Sequence, residues 1–193
     1  MGETLYIIGL CGPAGSGKSA AAKRLSQREG ISWIDLDRIA WRTYQPRSPT
    51  YWRLVARFGT GILAPDGRID RARLGRIVFS DRIALRDLNS IVHPAVNEQL
   101  KRIISEQKSR GTKILLIEGA LLGTSAYVDR SSFDAILYLS TSEATRTERL
   151  AAVDRKDRIQ HGSQTLPPGT VEIAAEGTVQ QVADRILAAI KAV

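Results

Sequence analysis

Cysteine is nearly absent from this sequence: Cys11 is the only one among 193 residues, so an intramolecular disulfide is excluded. The chain also lacks a basic N-terminal segment leading into a long apolar run. No stretch approaches the roughly 18 consecutive apolar residues of a membrane span. No internal repeat or low-complexity tract interrupts it. These absences lead us to expect a cytoplasmic globular protein, in keeping with 43% apolar and 25% charged residues. A further absence is local. Between residues 38 and 86 there is no lysine, and eleven arginines face only three acids, Asp66, Asp70 and Asp81. The rest of the chain is balanced, so the formal charge of +8 arises in that segment. Guanidinium groups grip phosphates in a two-pronged geometry that ammonium groups cannot match.

What is present is most legible near the N-terminus. The apolar run from Leu5 to Cys11 reads as a short buried strand, and it leads directly into Gly12-Pro13-Ala14-Gly15-Ser16-Gly17-Lys18-Ser19. Such glycines let successive N–H groups converge on one point, and Ala20, Ala21, Ala22 and Leu25 continue as a helix whose positive end faces it. A nucleoside triphosphate is the expected occupant, held by Pro13 to Ala20. Lys18 reaches its β- and γ-phosphates, and the Ser19 hydroxyl is a ligand for Mg²⁺. A Gly-rich turn capping an ordinary helix is the competing reading. Cys11, just before the loop, reads as a small buried hydrophobe rather than a redox switch.

The first helix is expected to end near Gly30. Residues 31 to 37 read as a second strand ending in Asp35 and Asp37, whose side chains share a side if the strand persists that far. Carboxylates at such a strand end lie where ligands bind in open α/β sheets, so Asp37 is a candidate base and Asp35 its neighbour. Both serve equally well as turn or cap residues. From 38 to 111 apolar residues recur at helical spacing with no convincing strand, which predicts a helical insertion. Trp41, Tyr44, Tyr51 and Trp52 within it either stack on a flat ring or fill a small core. His93 either touches a substrate or precedes a helix that starts at Pro94. A third strand, 113 to 118, ends in Glu118, placed to orient a metal-bound water. Residues 133 to 139 form a fourth strand, and Thr141-Ser142-Glu143 opens a helix carrying Arg146 and Arg149. The polar stretch 154 to 169 suits either a mobile flap or a surface linker. Thr170 to Ile173 is a short fifth strand, and Val179 to Ile190 an amphipathic closing helix.

Taken together, several stretches resemble the dephospho-CoA kinase family. They are Ile8-Gly9-Leu10 before Gly15-Ser16-Gly17-Lys18-Ser19, then Ile34-Asp35-Leu36-Asp37, Phe58-Gly59, and Asp66-Gly67-Arg68-Ile69-Asp70-Arg71. Leu74-Gly75-Arg76-Ile77-Val78-Phe79-Ser80-Asp81, Ile91-Val92-His93-Pro94 and Leu121-Leu122 complete the likeness. The resemblance implies an α/β P-loop NTPase fold in three layers, with a five-stranded parallel sheet in the order 2-3-1-4-5. It further implies a nucleotide-binding core (1–37, 112–150 and 170–193), a helical substrate subdomain (38–111) and a short lid (151–169). ATP and Mg²⁺ are then expected, with Ser19 and Glu118 at the metal. Asp37, Lys18 and a lid arginine, Arg155 or Arg158, act on the transferring phosphoryl group, while Asp35, Asp37, Arg76 and His93 face the acceptor. In that strand order Asp37 lies two strand spacings, roughly 10 Å, from the phosphate loop.

The sequence departs from the family pattern at Ala20, where a hydroxyl is usual, and at Glu118, where Asp is commoner. Val153 replaces a lid arginine, and Ala175-Glu176-Gly177 stands where Asn-x-Gly is usual. The implied reaction moves the γ-phosphate of ATP to the ribose 3′-hydroxyl of dephospho-CoA, with small-molecule partners and neither nucleic acid nor membrane. Three rivals stay open at this point: a kinase for another phosphorylated small molecule, a nucleic-acid-binding ATPase using the arginine-rich segment, and a non-catalytic nucleotide sensor.

Overall fold

The apolar run near the N-terminus forms β1 (Tyr6–Cys11), with Ile8, Leu10 and Cys11 withdrawn from solvent. The computed structural model describes residues 4–119, 122, 130–152, 166 and 168–192. Strands β2 (Ile31–Asp35), β3 (Ile114–Glu118), β4 (Ala135–Ser140) and β5 (Thr170–Ala174) join β1 in a wholly parallel sheet. Its order is β2-β3-β1-β4-β5, the order the resemblance implied. The central strands are near-continuous apolar runs because helices cover parallel sheets on their faces. The register pairs Leu10 with Glu118, Asp35 with Glu118 and Cys11 with Tyr138. The ends of β1, β2 and β3 are therefore level, and the loops that follow them leave from one edge.

The chain divides into two compact units, residues 1–35 with 104–193, and residues 36–103. In the first, α1 (Lys18–Leu25) and α7 (Val179–Lys191) pack together. Ala21, Ala22 and Leu25 share one core with Val182, Ala183, Ile186 and the strand residues Ile8, Leu10, Leu116, Leu137 and Leu139. Helix α6 (Glu143–Ala151) belongs to this unit and starts at Ser142, whose hydroxyl accepts from the Thr145 N–H. The helix α1 ends at Leu25 rather than near Gly30. Gly30, with φ +78°, instead makes the turn into β2.

The second unit is helical: α2 (Leu36–Thr43), α3 (Pro49–Phe58), α4 (Arg71–Ser80) and most of α5 (Arg82–Ser109). Its only extended pairing is one isolated bridge, Leu63 to Ile69, in keeping with the expected helical insertion. Tyr51 is buried while Trp52 is 57% exposed, so the aromatic residues divide between core and surface. Two expectations are corrected here. Asp37 lies in the first turn of α2 rather than on a strand, so it does not alternate with Asp35. Pro94 lies inside α5 and does not start it. Buried Ile91, Val92, Val96 and Leu100 anchor that helix on both sides of the missing N–H. No described helix is long and apolar enough to cross a membrane.

Leu116 lies fully buried on β3, in the core shared by α1 and α7. Leu116→Ala is expected to cost about 2–5 kcal/mol of unfolding free energy in a urea titration, the range for large-to-small changes in a packed core.

Candidate active site

The loop after β1 needs glycine for two separate reasons. Gly12 has φ +135°, and a Cβ there would lie 2.5 Å from the Leu139 carbonyl oxygen. Gly15 has φ +81°, and its Cβ would meet the Arg146 carbonyl at 2.9 Å. The loop then closes on Gly17, the N-cap of α1, which offers no side-chain hydrogen bond. Helices α3, α4, α6 and α7 are each capped by a side chain, Ser48, Asp70, Ser142 and Thr178. The first N–H groups of α1 are thus left for a ligand, as at other anion-binding helix ends.

Lys18 and Ser16 are buried beneath the loop. Lys18 Nζ donates to the carbonyls of Gly12 (2.8 Å) and Pro13 (2.9 Å) and to Ser16 Oγ (3.3 Å). The loop's outer carbonyls are held by α6. Arg146 Nε donates to Ala14 O (3.1 Å), and Arg149 Nη1 donates to Ser16 O (3.3 Å). Ser19 and Ala20 are exposed in the first turn of α1.

Ser19 Oγ donates to Glu118 Oε1 at 2.5 Å, and the Trp33 indole N–H donates to Glu118 Oε2 at 3.1 Å. Glu118 is 7% exposed. Burial raises its pKa above the ordinary carboxylate value, opposed by the Ser19 hydrogen bond and the Lys18 charge, while the neighbouring Asp35 charge raises it further. One carboxylate and one hydroxyl held this close are hard oxygen donors that fit Mg²⁺, which takes one or two protein ligands and fills its octahedron with water and phosphate oxygens. No group of three or more His, Cys, Asp or Glu suited to a metal occurs among the described residues.

The segment Ala175-Glu176-Gly177 closes the other side. Arg149 Nη2 donates to the carbonyls of Ala175 (3.1 Å) and Gly177 (3.2 Å), and Arg185 Nη1 to those of Ala174 (2.8 Å) and Glu176 (2.7 Å). Glu176 Oε1 accepts from Thr141 Oγ1 (2.6 Å) and Ser142 N (2.7 Å), and Oε2 from Thr145 Oγ1 (2.9 Å). The carboxylate therefore secures the start of α6, the helix that braces the phosphate loop.

Lys18, Ser19, Asp35 and Glu118 thus gather around the phosphate loop in the first unit. Asp37 stands in the second, close enough to Tyr44 to raise its pKa. Arg76 is exposed on α4, and its charge helps hold the Asp70 carboxyl below its usual range. His93 is half-buried on α5, where burial lowers its pKa. Arg155, Arg158 and Val153 lie outside the described residues, as does most of the expected lid. Sequence reasoning gave no role to Trp33, Glu176 or the arginine braces on α6. Arg146 and Arg149, three apart on a helix that follows a sheet strand, were the one available signal.

Sheet order, phosphate loop and the Ser19–Glu118 pair define an α/β P-loop nucleotide-binding protein. The model of the dephospho-CoA kinase family matches residues 6–164. The chain is 40% identical to a dephospho-CoA kinase of Thermobifida fusca over 145 residues, covering 75% of this chain and 70% of that protein. It is 33% identical to one of Geobacter sulfurreducens over 191 residues, 94% and 95% of the two chains. The chain belongs to the dephospho-CoA kinase family. Among solved structures it is similar to TT1252 from Thermus thermophilus, with a TM-score of 0.72, 28% identity and 98% of each chain covered.

The three hydrogen bonds to Glu176, those from Thr141 and Ser142 foremost, hold its carboxyl down at about 2. A folded-state pKa below the unfolded value contributes stability that is complete above the ordinary carboxylate range. It is lost as pH falls through about 2. Urea unfolding followed from pH 6 to pH 2 is expected to show a steeper acid loss for the wild type than for Glu176→Gln. Parallel curves would remove Glu176 from that role.

Proposed function

We propose that this protein transfers the γ-phosphate of ATP to the ribose 3′-hydroxyl of dephospho-CoA, releasing coenzyme A and ADP. The observation that carries the reading is the Ser19–Glu118 pair beside a phosphate loop whose lysine is already drawn under it, in a chain of this family. In our reading the first unit holds ATP, residues 38–111 hold the acceptor, and residues 151–169 form a lid bringing Arg155 or Arg158 to the phosphates. Arg76 and His93 face the acceptor, and Asp35 orients Asp37 or the metal's water shell. A cytoplasmic location fits a small-molecule reaction and a chain with one cysteine.

In the reaction the 3′-oxygen attacks the γ-phosphorus in line, forming the new O–P bond as the bond to the β-γ bridging oxygen breaks and its electron pair leaves with ADP. Asp37 accepts the hydroxyl proton. The loop N–H groups and Lys18 hold the β- and γ-phosphate oxygens. Ser19 and Glu118 would hold Mg²⁺, which would supply positive charge to neutralise the phosphate oxygens. No covalent enzyme intermediate is needed, because positioning and electrostatics do most of the work in such transfers. The acceptor's diphosphate matches the arginine-rich segment. Three of its arginines already hold carboxylates, Arg57 with Asp87, Arg68 with Asp66 and Arg73 with Asp70, so the segment does not present a continuous basic track.

ADP release from Mg-ATP should require dephospho-CoA and fail with AMP, CMP, UMP, duplex DNA or no acceptor. Turnover with a nucleoside monophosphate instead would keep the chemistry and reject the substrate. Asp37→Asn is expected to lower kcat by about 10²–10⁴-fold while ATP binding, read by calorimetry, is retained. Near-normal kcat would rule Asp37 out as the base. Glu118→Gln should raise the Mg²⁺ concentration for half-maximal rate by about 10–100-fold. An unchanged Mg²⁺ titration would detach Glu118 from the metal.

A further inference from the structure

Asp37 and Trp41 lie four residues apart on α2, the spacing that puts side chains on one helical face, and Tyr44 follows directly after the helix's last residue, Thr43. Arg71 lies against that face, with its Cζ 3.7 Å from the centroid of the Trp41 ring. Burial pushes the Tyr44 hydroxyl up to about 12, and the nearby charges of Arg71 and Asp37 pull on it in opposite directions. The four side chains therefore form one cluster within residues 36–103.

The backbone leading to Arg71 is closely determined. Ala64 N donates to Arg68 O at 2.8 Å, Gly67 N to Ala64 O at 2.9 Å and Asp70 N to Ile62 O at 2.8 Å. Tyr51 Oη donates to Gly67 O at 2.8 Å, and Asp70 Oδ1 accepts from the N–H groups of Ala72 and Arg73. Arg71 is the first residue of α4, where a cation opposes the helix dipole, so its charge does nothing for the helix. Its guanidinium also enters no ion pair among the described residues, unlike those of Arg57, Arg68 and Arg73. What the position does provide is a cation held over an indole face, and a guanidinium held there keeps N–H donors for two-pronged contact with phosphate oxygens.

We infer that Arg71 binds the diphosphate of the acceptor, with Trp41 as the platform that sets the plane of its guanidinium. The inference rests on the proposed reaction. In dephospho-CoA the diphosphate hangs from the 5′-carbon of the ribose whose 3′-hydroxyl reacts. An acceptor whose hydroxyl meets Asp37 therefore brings its anionic group within one sugar of the base, where the cluster holds its cation. Arg71 and Asp37 then read the two ends of one ribose, and a nucleoside without the diphosphate loses half of that recognition.

The test is steady-state kinetics on Arg71→Ala and Arg71→Lys, varying dephospho-CoA and ATP separately, with thermal unfolding run alongside. Arg71→Ala is expected to raise KM for dephospho-CoA at least tenfold, leaving KM for ATP and the melting temperature close to wild type. Arg71→Lys should recover only part of the loss, since an ammonium group keeps the charge but not the stacked plane. Trp41→Leu, which leaves the arginine but removes its platform, should show the same selective rise in smaller measure. A dephospho-CoA KM within twofold of wild type in Arg71→Ala would overturn the inference. So would equal losses for both substrates with a lowered melting temperature, the mark of a structural role. Failure of the wild type to phosphorylate dephospho-CoA at all would be visible before any variant is compared, and would sink the proposed reaction and this inference with it.

Discussion

A loop that aims its N–H groups inward at phosphate must turn its carbonyl groups outward, and an outward carbonyl buried in protein needs a donor. Most of the first unit can be understood from that constraint. Gly12 and Pro13 receive the Lys18 ammonium, Ala14 receives Arg146, and Ser16 receives Arg149. Both arginines come from α6, so α6 has to be fixed in place. Ser142 caps it, Glu176 secures the residues that start it, and Arg149 and Arg185 anchor the backbone around Glu176 in return. Strand β5 and helix α7 therefore contribute to the phosphate loop through the arginines that brace it.

The second organising point is the level end of β1, β2 and β3. Because Asp35, Glu118 and Leu10 share one register, the acid on β3 comes up beside the loop that follows β1 and the indole that points from β2. Glu118 is kept in an unfavourable buried setting by two donors, one of which belongs to the phosphate loop's own helix. Burial lifts its pKa above the ordinary carboxylate value, and departures of that kind cluster at functional sites.

Much of this was legible in the residues, and the exceptions have physical causes. The five strands are short apolar runs bounded by glycine or polar residues, so periodicity and the family likeness together gave the sheet and its order. Asp37 was placed on a strand because alternation cannot show where a strand stops, and here the helix begins at Leu36. Pro94 reads as a boundary in any sequence, yet tertiary anchoring by Ile91, Val92, Val96 and Leu100 carries α5 through it. Glu176 appeared only as a departure from a pattern, since its three donors lie 31 to 35 residues away in the chain. Arg71 was one arginine among eleven until the Trp41 ring distinguished it.

The placement of the three tryptophans has a consequence for how this protein can be watched. Trp33 donates its indole proton to Glu118, Trp41 lies under the Arg71 guanidinium, and Trp52 is largely open to solvent. Indole emission responds to nearby charge, so native fluorescence carries contributions from the surroundings of the Glu118 carboxylate and of the arginine cluster, with a surface reference built in. Single-tryptophan variants would report events in each unit in real time, with no dye attached and the sole cysteine left untouched.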